Sequence, residues 1–146
     1  MAKGLMARAS TEVNAPPEEV WAALTEPQAI ERYMFGTTAV SDWREGSPIV
    51  WKGEWQGKPY EDRGVILRFE PFKRLAYSHF SPLSGLTDLP ENYHMVTIEL
   101  SPEGAGTHVA LEQDNNDTEE ERDHASRNWE MVLAGLKGYL EGQPAS

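Results

Sequence analysis

Apolar and polar positions change period several times along the chain, and the changes mark out its elements. Ala7 to Val13 reads as an opening strand, broken by Asn14-Ala15-Pro16-Pro17, where two prolines preset a turn and the first position of a helix. Val20, Trp21 and Leu24 then fall at helical spacing and give a short helix one apolar face. Thr25-Glu26-Pro27-Gln28 restarts a second short helix, with Pro27 in its first turn and capping-box spacing between Thr25 and Gln28; Ile30, Tyr33 and Met34 would face inward.

From Gly36 to about Gln113 the period shortens to two, and Gly46-Ser47-Pro48, Gly57-Lys58-Pro59, Pro71-Phe72-Lys73 and Gly104-Ala105-Gly106 punctuate an antiparallel meander. Ile49, Trp51, Gly53 and Trp55 share one face against Val50, Lys52 and Glu54, and His94, Val96, Ile98 and Leu100 share another against Thr97 and Glu99. By the same alternation Val65, Leu67 and Phe69 form a set, as do Leu75, Tyr77 and His79, and Val109, Leu111 and Gln113. Each set is the predicted core face of its strand. The last element is a helix of about six turns. Thr118 and Glu121 fit a capping box, and Glu119 and Glu120 suit the positive helix start, with Gly142 and Pro144 as the stop. Ala125, Trp129, Val132, Leu133, Leu136 and Leu140 make a stripe at spacings of 4, 3, 1, 3 and 4, whose only large apolar partner is the sheet. No internal repeat or linker divides the chain, so residues 1–146 are expected to form a single domain.

One strand, two short helices, six strands and a long C-terminal helix is the order of the α+β helix-grip fold, a curved antiparallel sheet of about seven strands around that helix. Individual segments carry the likeness further. Ala15-Pro16-Pro17-Glu18-Glu19-Val20-Trp21-Ala22-Ala23-Leu24 with Thr25-Glu26-Pro27, and Val40-Ser41-Asp42-Trp43-Arg44-Glu45-Gly46, resemble the opening of the SRPBCC (START-like) superfamily. Gly64-Val65-Ile66-Leu67, Glu70-Pro71-Phe72-Lys73-Arg74-Leu75-Ala76-Tyr77, Asn128-Trp129-Glu130-Met131-Val132-Leu133 and Leu136-Lys137-Gly138-Tyr139-Leu140-Glu141 continue the resemblance. The branch they are most similar to takes its name from the C-terminal domain of the Hsp90 ATPase activator Aha1. Two positions depart from it: many relatives carry tryptophan where this chain has Tyr33, and a bulky residue where it has His79. The family shares no catalytic set, so the resemblance supplies no catalytic residues.

What the resemblance implies is a cavity between sheet and C-terminal helix for an apolar or amphipathic small molecule. Alternation nominates Trp51, Trp55, Tyr77, His79, His94, Val96 and Trp129 as its lining, with Leu133 from the helix stripe. Aromatic walls with a few polar groups suit such binding, because burial supplies affinity and a fixed donor or acceptor supplies orientation. The alternative is a filled core, which a chain of this size also needs. Two other functions follow from the resemblance: an Hsp90 co-chaperone-like or regulatory domain with a protein partner, and a cavity enzyme of cyclase type, for which His79 and His94 are the first candidate acid–base groups.

Composition narrows the field. The chain has 146 residues, 39% apolar and 25% charged, with a mean hydropathy of −0.58, which excludes a helical membrane protein and a disordered chain. A net charge of −11 and a pI near 4.7 argue against nucleic acid or an anionic membrane as partner. The excess is local: residues 88–123 carry 11 acids and 1 base, against 11 and 10 in residues 1–87 and 2 of each in 124–146. Cysteine is absent, which removes disulfides, thiol nucleophiles and thiolate metal sites. No HxH or HExxH pattern, Gly-x-Ser-x-Gly elbow or phosphate loop occurs, so no metal, cofactor or catalytic group is expected. Asp114-Asn115-Asn116-Asp117 starts like a calcium loop, but Glu119 and Ala125 stand where glycine and glutamate are needed. Glu54 and Glu61-Asp62-Arg63 read as solvated strand edges, and Asn116-Asp117-Thr118 as a chance glycosylation sequon. Without a signal-peptide core after Met1, a cytoplasmic location is expected. The loop from Ser81 to Pro90, with three leucines between turn formers, would either cap a cavity mouth or pack on the sheet end.

Overall fold

A computed structural model describes residues 5–34, 36–55, 57–81, 87–116 and 118–141, apart from the side chains of Trp55 and Pro90. Its elements are β1 (Leu5–Val13), α1 (Pro17–Thr25), α2 (Pro27–Tyr33), β2 (Thr38–Ser41), β3 (Pro48–Trp55), β4 (Lys58–Glu70), β5 (Arg74–His79), β6 (His94–Glu103), β7 (Gly106–Asn116) and α3 (Glu119–Leu140). All strand pairs are antiparallel, in the order β1-β7-β6-β5-β4-β3-β2, so the first strand closes against the last and the rest follow as a meander. The sheet grips α3, as the helix-grip fold requires. Among the described residues no helix is long and apolar enough to cross a membrane.

The core lies between the sheet and the three helices. Val132, Leu133 and Leu136 of α3 meet Ile49, Ile66, Leu75, Val96, Ile98, Val109 and Leu111 from five strands, with Val20, Leu24, Ile30 and Tyr33 closing the side. The Tyr33 hydroxyl donates to the Ala23 carbonyl at 3.0 Å, and burial pushes its phenol far above the usual range. Thr118 caps α3, its Oγ1 accepting from Glu121 N at 3.1 Å. At the other end Glu141 accepts from Lys137 Nζ and from Asn14 N, and these bonds hold its carboxyl below the ordinary carboxylate range. Lys137 also donates to the Glu12 carbonyl, so the last turn of α3 is tied to the end of β1. The predicted helix stop at Gly142 and Pro144 lies outside the described residues.

Two expectations are corrected. Thr25 does not cap α2: its hydroxyl donates back to Trp21 O at 3.0 Å, closing α1, while Glu26 is the N-cap of α2 without a side-chain bond. On β4 the predicted core face is inverted over its middle. Ile66 is fully buried, whereas Val65 and Leu67 are 38% and 41% exposed. The register between β4 and β5 shifts between Ile66 and Arg68, and this bulge changes the parity of the strand. Beyond it Phe69 turns inward and meets Trp21 edge-on, ring centroids 5.1 Å apart. Before it the inward set is Tyr60, Asp62, Gly64 and Ile66.

Candidate functional site

The parity of β4 decides what the upper end of the sheet can do. In the β3–β4 register Trp51 stands directly opposite Asp62 and Gly53 opposite Tyr60. Gly53 has no side chain to keep the Tyr60 ring off the strand: a Cβ there would fall 2.6 Å from the Tyr60 hydroxyl. The ring therefore crosses β3, and its hydroxyl shares a 2.8 Å hydrogen bond with Thr37 Oγ1. Gly64 meets β5 in the same way. A Cβ on it would collide with the Ser78 carbonyl oxygen, so only glycine lets the two strands come this close.

Next to that close approach Asp62 Oδ2 and His79 Nε2 lie 2.9 Å apart. Both side chains are mostly buried, and the other carboxylate oxygen, Oδ1, is buried with no hydrogen-bond partner among the described residues. An unpaired buried acceptor of this kind costs about 1–3 kcal/mol, which marks the pair as something the core does not require. Trp51 packs on both neighbours from β5, its ring centroid 5.0 Å from those of Tyr77 and His79. Burial pushes the Tyr77 phenol well above its usual range, so it is a protonated donor at neutral pH. Its hydroxyl has no hydrogen-bond partner among the described residues.

Across from this wall, Trp129 of α3 donates from Nε1 to Gln113 Oε1 of β7 at 2.6 Å, which fixes the indole over the sheet. Between the two walls lies a cavity of about 690 Å³. Trp51, Tyr60, Asp62, Tyr77 and His79 border it on the sheet side, and His124, Ala125, Asn128, Trp129 and Val132 on the helix side. Met34, Thr37, Ser81 and Gln113 complete the rim. Deeper, among Leu24, Ile30, Tyr33 and Leu136, only a void of about 30 Å³ remains.

Four of the residues singled out in the sequence, Trp51, Tyr77, His79 and Trp129, meet around the cavity. Leu133 lies below it, beside the small void, and is 2% exposed. Val96 is 1% exposed and buried within the core. His94 pairs with His79 across β5 and β6, ring centroids 6.5 Å apart, but its Nδ1 donates to the Asp114 carbonyl at 2.8 Å and it does not border the cavity. Trp55 ends β3 opposite Lys58, and its side chain lies outside the described residues, as do residues 82–86 of the leucine-bearing loop.

Asp62 is the main residue that the sequence reading misplaced: expected on a solvated edge, it is turned inward because Ile66, and not Val65 or Leu67, sets the phase of the strand. The calcium-like stretch is structural. Asp114 Oδ1 accepts from Met95 N, Asn115 Nδ2 donates to the Glu91 and Tyr93 carbonyls, and buried Asn116 donates to the Leu5 and Gln113 carbonyls. Far from the cavity, Glu12, Glu103 and His108 bring one ligand atom each within 4.8 Å of one another on exposed strand ends. Glu103 hydrogen-bonds Glu12, and this bond raises its carboxyl above the ordinary value.

The sequence profile described as Activator of Hsp90 ATPase homolog 1-like protein matches residues 14–141. Among solved structures, ChR145 from Cytophaga hutchinsonii is 56% identical over the full length of both chains, with a TM-score of 0.86. CalU16 from Micromonospora echinospora is 28% identical over 96% of this chain and 86% of its own, with a TM-score of 0.69. The Aha1 dimer from Colwellia psychrerythraea is 19% identical over 97% of this chain and 99% of its own, TM-score 0.75, a likeness of fold. No curated protein matches the chain in sequence.

Proposed function

The chain belongs to the Activator of Hsp90 ATPase homolog 1-like family of the SRPBCC superfamily, and from that premise we propose that it binds a small apolar or amphipathic molecule between the sheet and α3. The observation that carries this reading is the cavity of about 690 Å³, beside which the core among Leu24, Ile30, Tyr33 and Leu136 leaves a void of about 30 Å³. A space of that size falls in the range of small-molecule sites, and it is bordered as such sites are, by aromatic faces with a few fixed polar groups. Trp51 and Trp129 supply apolar area from opposite walls, while Tyr77, His79 and Gln113 supply directed hydrogen bonding. Leaving such a space open forgoes packing that the sequence could have gained from larger residues at Ala125 or Asn128.

Native mass spectrometry of the purified full chain against a library of lipophilic compounds tests the reading, with tryptophan fluorescence as a second channel. Retained compounds that quench Trp51 and Trp129 and are displaced by one another are the expected result. A library without a single retained compound would overturn it.

A further inference from the structure

Resting on that reading, we infer that the Asp62–His79 pair and the Tyr77 hydroxyl form a recognition site for a hydroxyl group, so that the cavity selects an apolar ring compound bearing an alcohol or phenol. Asp62, as a carboxylate, can only accept, so His79 donates across the 2.9 Å contact from Nε2, the Nε2–H tautomer of the ring. Nδ1 is then left with its lone pair, and it has no hydrogen-bond partner among the described residues. Two residues earlier on β5, Tyr77 borders the same cavity, and its donor hydroxyl has no hydrogen-bond partner among the described residues.

Residues two apart on a strand share a face and are separated by about 6.6 Å. A hydroxyl that accepts from one group and donates to another reaches across about 5 Å, and in this assignment a single ligand O–H bridges Tyr77 and His79. Both flanking rings lean on Trp51, which borders the cavity beside them. An ether or hydrocarbon of the same shape can fill the space but leaves the His79 acceptor without a proton to take up. The orphaned Asp62 Oδ1 fits this assignment: the carboxylate is kept for its hold on His79 although half of its hydrogen-bonding capacity is unmet.

The test is calorimetric titration of the full chain with 2-naphthol and with 2-methoxynaphthalene, repeated on Tyr77→Phe and on His79→Phe, which keeps a ring against Trp51. Wild type should prefer the naphthol by about tenfold, and His79→Phe should reduce that preference to near unity while still binding the ether. Tyr77→Phe should reduce it in part. Equal binding of both probes by wild type overturns the hydroxyl site and leaves the cavity reading standing. A preference that survives in His79→Phe also overturns it. If neither probe binds and the lipophilic library is not retained, the cavity reading itself falls and this inference with it.

Discussion

The two halves of α3 face the same sheet and meet different surfaces. In the C-terminal half, Val132, Leu133 and Leu136 are buried against strands and short helices from both ends of the chain, and little space is left among them. In the N-terminal half, Ala125, Asn128 and Trp129 stand across an open cavity from Trp51, Asp62, Tyr77 and His79. β4 runs through both regions, with Ile66 and Phe69 in the packed end and Tyr60 and Asp62 in the open one. The packed end holds the sheet on the helix, which frees the other end to leave a carboxylate oxygen and a phenol without hydrogen-bond partners among the described residues.

The contrast predicts a gradient of mutational cost. Leu136→Ala should be the most damaging, lowering unfolding free energy by about 2–5 kcal/mol in a urea titration, because the residue is fully buried and closely surrounded. A cost under about 1 kcal/mol would mean that the lower half is looser than it looks, and would erase the distinction. Gly64→Ala comes next, at about 1–3 kcal/mol. Its new Cβ must push the Ser78 backbone away, so the change should reach the open end and shift the His79 ring resonances in NMR spectra. Leu136→Ala should leave those resonances in place. Unchanged His79 signals in Gly64→Ala would show that the close approach of β4 and β5 does not set the Asp62–His79 geometry.

The packed end was the more legible of the two, for a physical reason. The stripe on α3, the alternation of β3 and β6 and the Thr118 cap are periodic or local signals, and each recurs in the structure at the same residues. The four-residue meeting of Trp51, Tyr77, His79 and Trp129 also followed from parity along β3, β5 and α3. Asp62 did not, because Val65, Leu67 and Phe69 are as apolar as Ile66 and no residue in that run marks the bulge between Ile66 and Arg68. Gly64 was the one available cue, since a glycine inside a strand often marks a close backbone approach. His94 was legible in face but not in role: its bond to Asp114 depends on how the ends of β6 and β7 are paired, which only the register specifies.

Between the two ends lies Trp129, whose indole N–H is held by Gln113 at 2.6 Å. Trp129→Phe keeps most of the apolar area but leaves Gln113 Oε1 without this donor, so a loss of about 1 kcal/mol is expected by chemical denaturation. The same variant should bind lipophilic probes more weakly, because the cavity wall loses both area and its fixed orientation. A loss as large as that of Leu136→Ala would move Trp129 from the open region into the packed one.

The smallest effect is the sharpest check on where β4 turns over. Leu67 lies in an apolar run, and a strand that alternated without interruption through Val65, Leu67 and Phe69 would bury it, so that Leu67→Thr would then cost a core substitution's several kcal/mol. With the bulge between Ile66 and Arg68, Leu67 is on the outer face and 41% exposed. Threonine brings a β-branched side chain suited to a strand and exposes less apolar surface to water. Leu67→Thr should therefore change unfolding free energy by no more than about 0.5 kcal/mol and leave probe binding as in wild type. Ile66→Thr, one residue away, should be severely destabilising. If the two variants exchanged places, the parity of β4 would be reversed, Asp62 would point to solvent, and the polar wall of the cavity would go with it.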